Sequence, residues 1–105
     1  MYAMMDLEAL DELVLSAAEW RVLHRIMRSV NVETNEARVS IADLGRELDM
    51  APSNVSRIMR ELRDRRIVYT LRLGTHRVNP HIMFRGSNQD WDIATDTEKE
   101  PIWER

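Results

Sequence analysis

Arg57, Arg60 and Arg63 recur at every third position, with Ser53, Asn54 and Ser56 just ahead of them. An arginine presents a planar fork of N–H donors that fits phosphate oxygens and the O6/N7 edge of guanine. An asparagine amide pairs in the same two-pronged way with adenine N6 and N7. Serine hydroxyls suit single contacts to phosphate, which fix register without reading sequence. Arg72, His76 and Arg77 form a second basic cluster a few residues on. These residue types in this pattern point to recognition of a polyanion and not to a reaction. Ser53 and Ser56 have no neighbouring His–acid pair to activate them. His24, His76 and His81, the only histidines, share no metal-ligand spacing. The absence of cysteine removes thiol nucleophiles, disulfides and Cys-bound zinc. The expectation is a chain with no catalytic residue, no metal and no cofactor.

Charge along the chain supports that reading. The 105 residues carry a formal net charge of −3, which by itself argues against a polyanion partner. Split by position, residues 1–36 hold −4, residues 37–86 hold +5 and residues 87–105 hold −4. Local potential is what a polyanion feels, so a domain total can conceal a basic face. Fourteen of the fifteen bases are arginine, a bias that suits forked contacts and that genome composition can also produce. With 44% apolar residues the chain has room for one globular domain. No apolar run approaches the roughly 18–20 residues of a membrane span, and the first residues lack a signal peptide's basic start. Three glycines cannot furnish a phosphate-cradling loop on an α/β nucleotide fold. A reducing, cytoplasmic setting is expected.

The elements that must position these clusters follow from periodicity. Ser16-Ala17-Ala18-Glu19 is a capping box, and Trp20, Leu23, Met27 and Val30 continue it at helical spacing, which predicts a helix over 16–30. Ser40, with Asp43 three residues on, opens a second helix from Ile41 to Leu48. Asp49-Met50-Ala51 leaves only a tight turn before Pro52, which suits the first turn of a third helix. There Val55, Ile58, Met59 and Leu62 fall at i, i+3, i+4 and i+7, so Ser53, Arg57 and Arg60 fall on the opposite face. The alternative use of that face is a solvated surface braced by Arg57–Glu61 and Arg60–Asp64 pairs. Residues 67–73 read as a strand, Gly74-Thr75 as a two-residue turn, and His76-Arg77-Val78 as the returning strand. That register sets Leu73 opposite His76, Arg72 opposite Arg77 and Leu71 opposite Val78. Two like charges face to face repel unless an anion lies across them. Residues 1–15 read as an arm or short helix, 16–86 as the domain, and 87–105 as an acidic tail that is disordered, or whose Trp91 and Trp103 pack back or dock a partner.

Helix, helix, turn, helix and hairpin make an α+β winged helix-turn-helix, a three-helix core plus a β-hairpin wing. The stretch from Leu48 to Val68, with Pro52-Ser53 and Val55-Ser56-Arg57 inside it, resembles the MarR-type winged-helix DNA-binding proteins. Over roughly Asp6 to Ser87 the chain is also similar to the RepL-like plasmid replication initiators, through Leu15-Ser16, Asn35-Glu36 and the post-wing Val78-Asn79-Pro80-His81-Ile82-Met83-Phe84-Arg85-Gly86. Both resemblances imply sequence-specific binding of double-stranded DNA; replication initiation or control at a plasmid or mobile-element origin is the leading expectation, from the second, and transcriptional repression is the alternative. A protein–protein adaptor on the same fold is the reading of another class. Three positions depart from the pattern: Asp49 and Arg66 where glycine is usual, and Ala51 in place of a Ser or Thr cap. The expected contacts are Ser53, Asn54, Ser56, Arg57, Arg60 and Arg63 on the third helix, and Arg72, His76 and Arg77 on the wing. A homodimer is expected because one recognition helix reads only a few base pairs, with Leu7, Leu10, Leu13 and Trp20 as its expected surface.

Overall fold

In the computed structural model, which describes residues 2–5, 7–31, 33–86 and 88–103, each expected helix forms where its caps place it. A strand β1 (Tyr2–Met5) and a short helix α1 (Leu7–Glu12) precede α2 (Ala17–Arg28). The Ser16 hydroxyl accepts from Glu19 N at 3.1 Å while the Glu19 carboxylate accepts from Ser16 N at 2.8 Å, the reciprocal capping box. After β2 (Ala37–Arg38), Ser40 caps α3 (Ile41–Leu48) by accepting from Asp43 N at 3.0 Å. Helix α4 (Pro52–Asp64) follows, then strands β3 (Val68–Arg72), β4 (Thr75–Val78) and β5 (Met83–Gly86), and α5 (Asn88–Thr97).

The turn between α3 and α4 depends on two residues. Asp49 takes the left-handed conformation, φ 55° and ψ 50°, as the missing glycine requires of it. Gly45 lies where the backbone doubles back: Met50 N donates to its carbonyl at 2.8 Å, and an added Cβ would sit 2.7 Å from Met50 O. Ala42, three residues before it, lies on the outer side of α3 and is exposed. Gly45→Ala should therefore destabilise the protein although alanine favours helix by about 1 kcal/mol. The clash is with backbone that cannot step aside, and overpacking of this kind costs about 1–3 kcal/mol. Thermal melts should show Tm falling, and a rise would mean that the turn relaxes freely.

Val22, Leu23 and Ile26 of α2, Leu44 of α3, and Val55, Ile58, Met59 and Leu62 of α4 bury together, closed from the wing side by Val68 and Val78. The wing sheet has the order β2-β4-β3. Its register differs from the sequence-based one. Val68 pairs with Val78, Tyr69 with Arg77 and Thr70 with His76, and after an irregularity Arg72 pairs with Thr75. Leu73 and Gly74 form the turn, with Gly74 at the second central position at φ 76°. The core decides this: pairing Val78 with Val68 buries both, whereas pairing it with Leu71 would leave Val68 without a partner in the core. Leu71 is left largely exposed.

Helix α4 ends in a Schellman motif. Ile67 N reaches Leu62 O at 2.9 Å and Arg66 N reaches Arg63 O at 3.0 Å, with Arg66 at φ 55° in the place usual for glycine. Two contacts hold Arg66 there: Asn79 Nδ2 donates to its carbonyl at 2.8 Å, and its own Nε donates to Glu100 O at 3.1 Å. The end of the chain packs back. Trp103 sits against the core, Trp91 Nε1 donates to Pro80 O at 2.9 Å, and β5 pairs antiparallel with β1.

Candidate nucleic-acid interface

Burial of Val55, Ile58, Met59 and Leu62 turns the remaining faces of α4 outward. Ser53, Asn54, Ser56, Arg57, Arg60 and Arg63 are all exposed, as the spacing requires. The helix begins at Ala51 with no side-chain cap, and Asn54 N falls back on the Ala51 carbonyl at 2.9 Å. Among the described residues no ion pair includes Arg57, Arg60 or Arg63; the Arg57–Glu61 and Arg60–Asp64 pairs of the alternative reading do not form. Four arginines elsewhere behave differently. Arg25 is paired with Glu47, Arg46 with Asp43, Arg72 with Glu36 and Arg77 with Glu98. A guanidinium without a carboxylate is free to take a phosphate, so α4 is the basic element with the least internal competition.

The wing divides its three expected contacts. Arg72 is exposed near the tip, 3.3 Å from Glu36. Arg77, opposite Tyr69, lies among Pro80, Phe84, Ala94, Thr97 and Glu98, and Glu98 neutralises it. The pairing of Arg72 with Arg77 across the strands, and the anion it would need, therefore fall away. His76 is not a surface contact either, being only 3% exposed. Its Nε2 lies 3.1 Å from Val39 O and its Nδ1 3.0 Å from the Thr70 hydroxyl. A carbonyl can only accept, so Nε2 carries the proton and Nδ1 accepts from Thr70. Arg65 and Arg66 are likewise engaged at the far end of α4, Arg65 donating to three backbone carbonyls. The arginines from 57 to 77 thus separate into an outward group on α4 and at the wing tip, and an inward group that holds the chain's end.

One basic residue escaped the sequence reading. Arg38 on β2 pairs with Thr75 from one side while Arg72 pairs with it from the other, so the two arginines flank the central strand near the tip. Its position in a short β-prone segment was legible; its partner strand was not.

A family model described as MarR family matches residues 15–77, more than half of the chain. The chain belongs to the MarR family. No curated protein matches it. The MarR match runs from the approach to α2 through the wing and includes every residue of the outward group. It stops at Arg77, short of the segment 78–86 that carried the likeness to plasmid initiators.

Burial holds the His76 ring below its ordinary pKa, with the Arg63 charge acting in the same direction and the bond to Val39 opposing both. The unfolded chain takes up a proton near 6.5 while the folded form resists it. Stability is therefore full above that value and falls as pH drops below it, until the folded ring protonates too. Tm at pH 5.5 should lie below Tm at pH 7.5, and His76→Gln, which keeps a donor and an acceptor without titrating, should shrink the difference. An unchanged difference in that variant would assign the pH dependence to other groups.

Proposed function

We propose that the protein is a transcriptional regulator that binds double-stranded DNA, most simply as a repressor. Helix α4 enters the major groove, with Asn54 and Arg57 at base edges and Ser53, Ser56, Arg60 and Arg63 on phosphates. Arg72 and Arg38 follow the backbone from the wing. One observation carries the reading: Arg57, Arg60 and Arg63 are exposed on one helix and none shares an ion pair among the described residues, whereas Arg46 on α3 and Arg72 and Arg77 on the wing are paired. MarR membership supports a regulator over a replication initiator, because the match omits the segment on which the initiator reading rested. The reading assigns no catalysis and no cofactor, and among the described residues no cluster of ligands suits a metal ion.

Two copies on symmetric half-sites would multiply the specificity of one helix. Leu10 and Leu13, expected at the dimer surface, pack on the core of their own chain, and of Leu7 only the backbone is described. Trp20 remains exposed, over an apolar groove with Ala17, Arg21 and His24. No helix among the described residues is long and apolar enough to cross a membrane.

Fluorescence-anisotropy titration of labelled random duplex at low and high salt tests the proposal. Each phosphate neutralised by an arginine contributes about 0.9 to the slope of log affinity against log salt, so the four arginines placed on the backbone, Arg38, Arg60, Arg63 and Arg72, predict a steep loss. Indifference to DNA at low salt would favour a protein–protein adaptor.

A further inference from the structure

We propose that His76, though hidden from solvent, is a positioning residue for the DNA-facing surface, orienting the Arg63 guanidinium through Thr70 and fixing the wing against the start of α3 through Val39. The inference rests on the DNA-binding reading of α4.

The geometry is a chain of four groups from three parts of the fold. Arg63 Nη1 on α4 lies 3.4 Å from Thr70 Oγ1 on β3, and that oxygen lies 3.0 Å from His76 Nδ1 on β4. His76 Nε2 in turn lies 3.1 Å from the carbonyl of Val39, the residue before the Ser40 cap. Only one arrangement of protons satisfies every member. The Val39 carbonyl requires a proton on Nε2, which leaves Nδ1 as an acceptor. Thr70 must then spend its single hydroxyl proton on Nδ1, which turns its remaining lone pairs outward. A cation able to donate is the fitting neighbour for them, and Arg63 supplies it. All donors point the same way along the chain, and such chains polarise one another in the same sense.

The first bond of the chain is long, so its role is directional and not a source of stability. Arginine carries a large rotamer entropy, and a side chain already held near its working position loses less of it on meeting a phosphate. The other end of the chain sets the wing. Val39 N donates to Gly74 O at 2.9 Å, so Val39 is bonded both to the turn of the wing and to the ring beneath it. Loss of the His76 contact would leave the wing joined to α3 at that residue by the Gly74 bond alone.

Four full-length proteins in the same anisotropy assay test this: the unaltered chain, Thr70→Val, Arg63→Ala and the double variant. Thr70 is exposed and valine keeps its shape and strand preference, so folding should persist. Thr70→Val should weaken binding by about 2- to 10-fold, the effect of one hydrogen bond. Arg63→Ala should weaken it further and lower the salt slope by about one. The deciding result is the double variant, which should bind no more weakly than Arg63→Ala alone, because Thr70 acts only through Arg63. His76→Gln should retain most of the affinity and His76→Phe should lose as much as Thr70→Val or more. Independent, multiplying effects of Thr70→Val and Arg63→Ala would overturn the proposal, as would a Thr70→Val protein that binds like the parent. If the unaltered chain ignores duplex at low salt, the DNA reading itself fails and takes this inference with it.

Discussion

Replacing Arg57 and Arg60 together by alanine should lower the affinity for duplex DNA by on the order of 10- to 100-fold and reduce the salt slope by about one, the share of the phosphate contact that Arg60 makes. The two residues have different tasks. Arg57 lies in the first half of α4, where a helix entering the major groove meets base edges, and a forked contact to guanine contributes about 1–3 kcal/mol of discrimination. Arg60, one turn on, is placed for phosphate. Arg57→Ala alone should therefore relax sequence preference, whereas Arg60→Ala should weaken all sequences alike. Both side chains are exposed, and neither shares an ion pair among the described residues, so the stability should change by no more than roughly 0.5 kcal/mol per substitution, as expected of surface positions. Arg46→Ala serves as the control, since Arg46 is an exposed arginine on the preceding helix whose charge Asp43 already answers. A double variant with an unchanged salt slope would place the interface elsewhere on the molecule.

The part of this interface that lies on α4 was legible in the sequence because it depends on one helix. Four apolar residues at helical spacing choose the buried side, and the outward side follows from 3.6 residues per turn. The Asp49 turn and the left-handed Arg66 were legible for the same local reason, since backbone geometry demands positive φ there whatever residue fills the position. The wing was not legible at the level of single contacts. Leu71 and Leu73 look like core residues in a strand, yet Leu73 is fully exposed at the turn and Leu71 follows the strand's irregularity. What sets the register is the meeting of Val68 and Val78 under α4, a tertiary demand with no local trace. His76 looked like a surface histidine because its partners, Thr70 and the Val39 carbonyl, come from other strands and loops. Arg65, Arg66 and Arg77 carried the same signal as Arg57 and Arg60, but backbone carbonyls and Glu98 from the end of the chain claim them. Charge type and spacing cannot distinguish an arginine that meets phosphate from one that holds a remote segment.

Arg65 makes that distinction measurable. It is 4% exposed, and its guanidinium donates to Val14 O at 2.7 Å, Trp103 O at 2.6 Å and Ile102 O at 3.1 Å. Its own carbonyl accepts from Ile102 N at 2.8 Å, and Val14 N donates to Trp103 O at 3.0 Å. The end of α4 thus joins the segment before α2 to the last described residues of the chain, and the rigid fork of donors is what reaches three acceptors at once. Arg65→Met keeps the length and the apolar stem but removes the guanidinium donor of Val14 O and Ile102 O, while Trp103 O retains Val14 N. Each buried acceptor left unpaired costs about 1–3 kcal/mol, partly recovered if the C-terminal segment lifts into water. A net loss of about 3 kcal/mol is expected, which for a domain of this size lowers Tm by on the order of 10 °C or more. Because the released segment includes Trp103, which packs on the core, its fluorescence should shift toward that of solvated tryptophan and proteolysis after residue 97 should accelerate. Arg65→Lys should fall between the two, since a single ammonium cannot span three carbonyls at these positions. The folded fraction of Arg65→Met should still bind DNA with an unchanged salt slope, because none of the lost contacts involves the outward face of α4. A variant that melts with the parent would show the clamp to be dispensable, and one that keeps its Tm while losing a unit of salt slope would make Arg65 a phosphate contact.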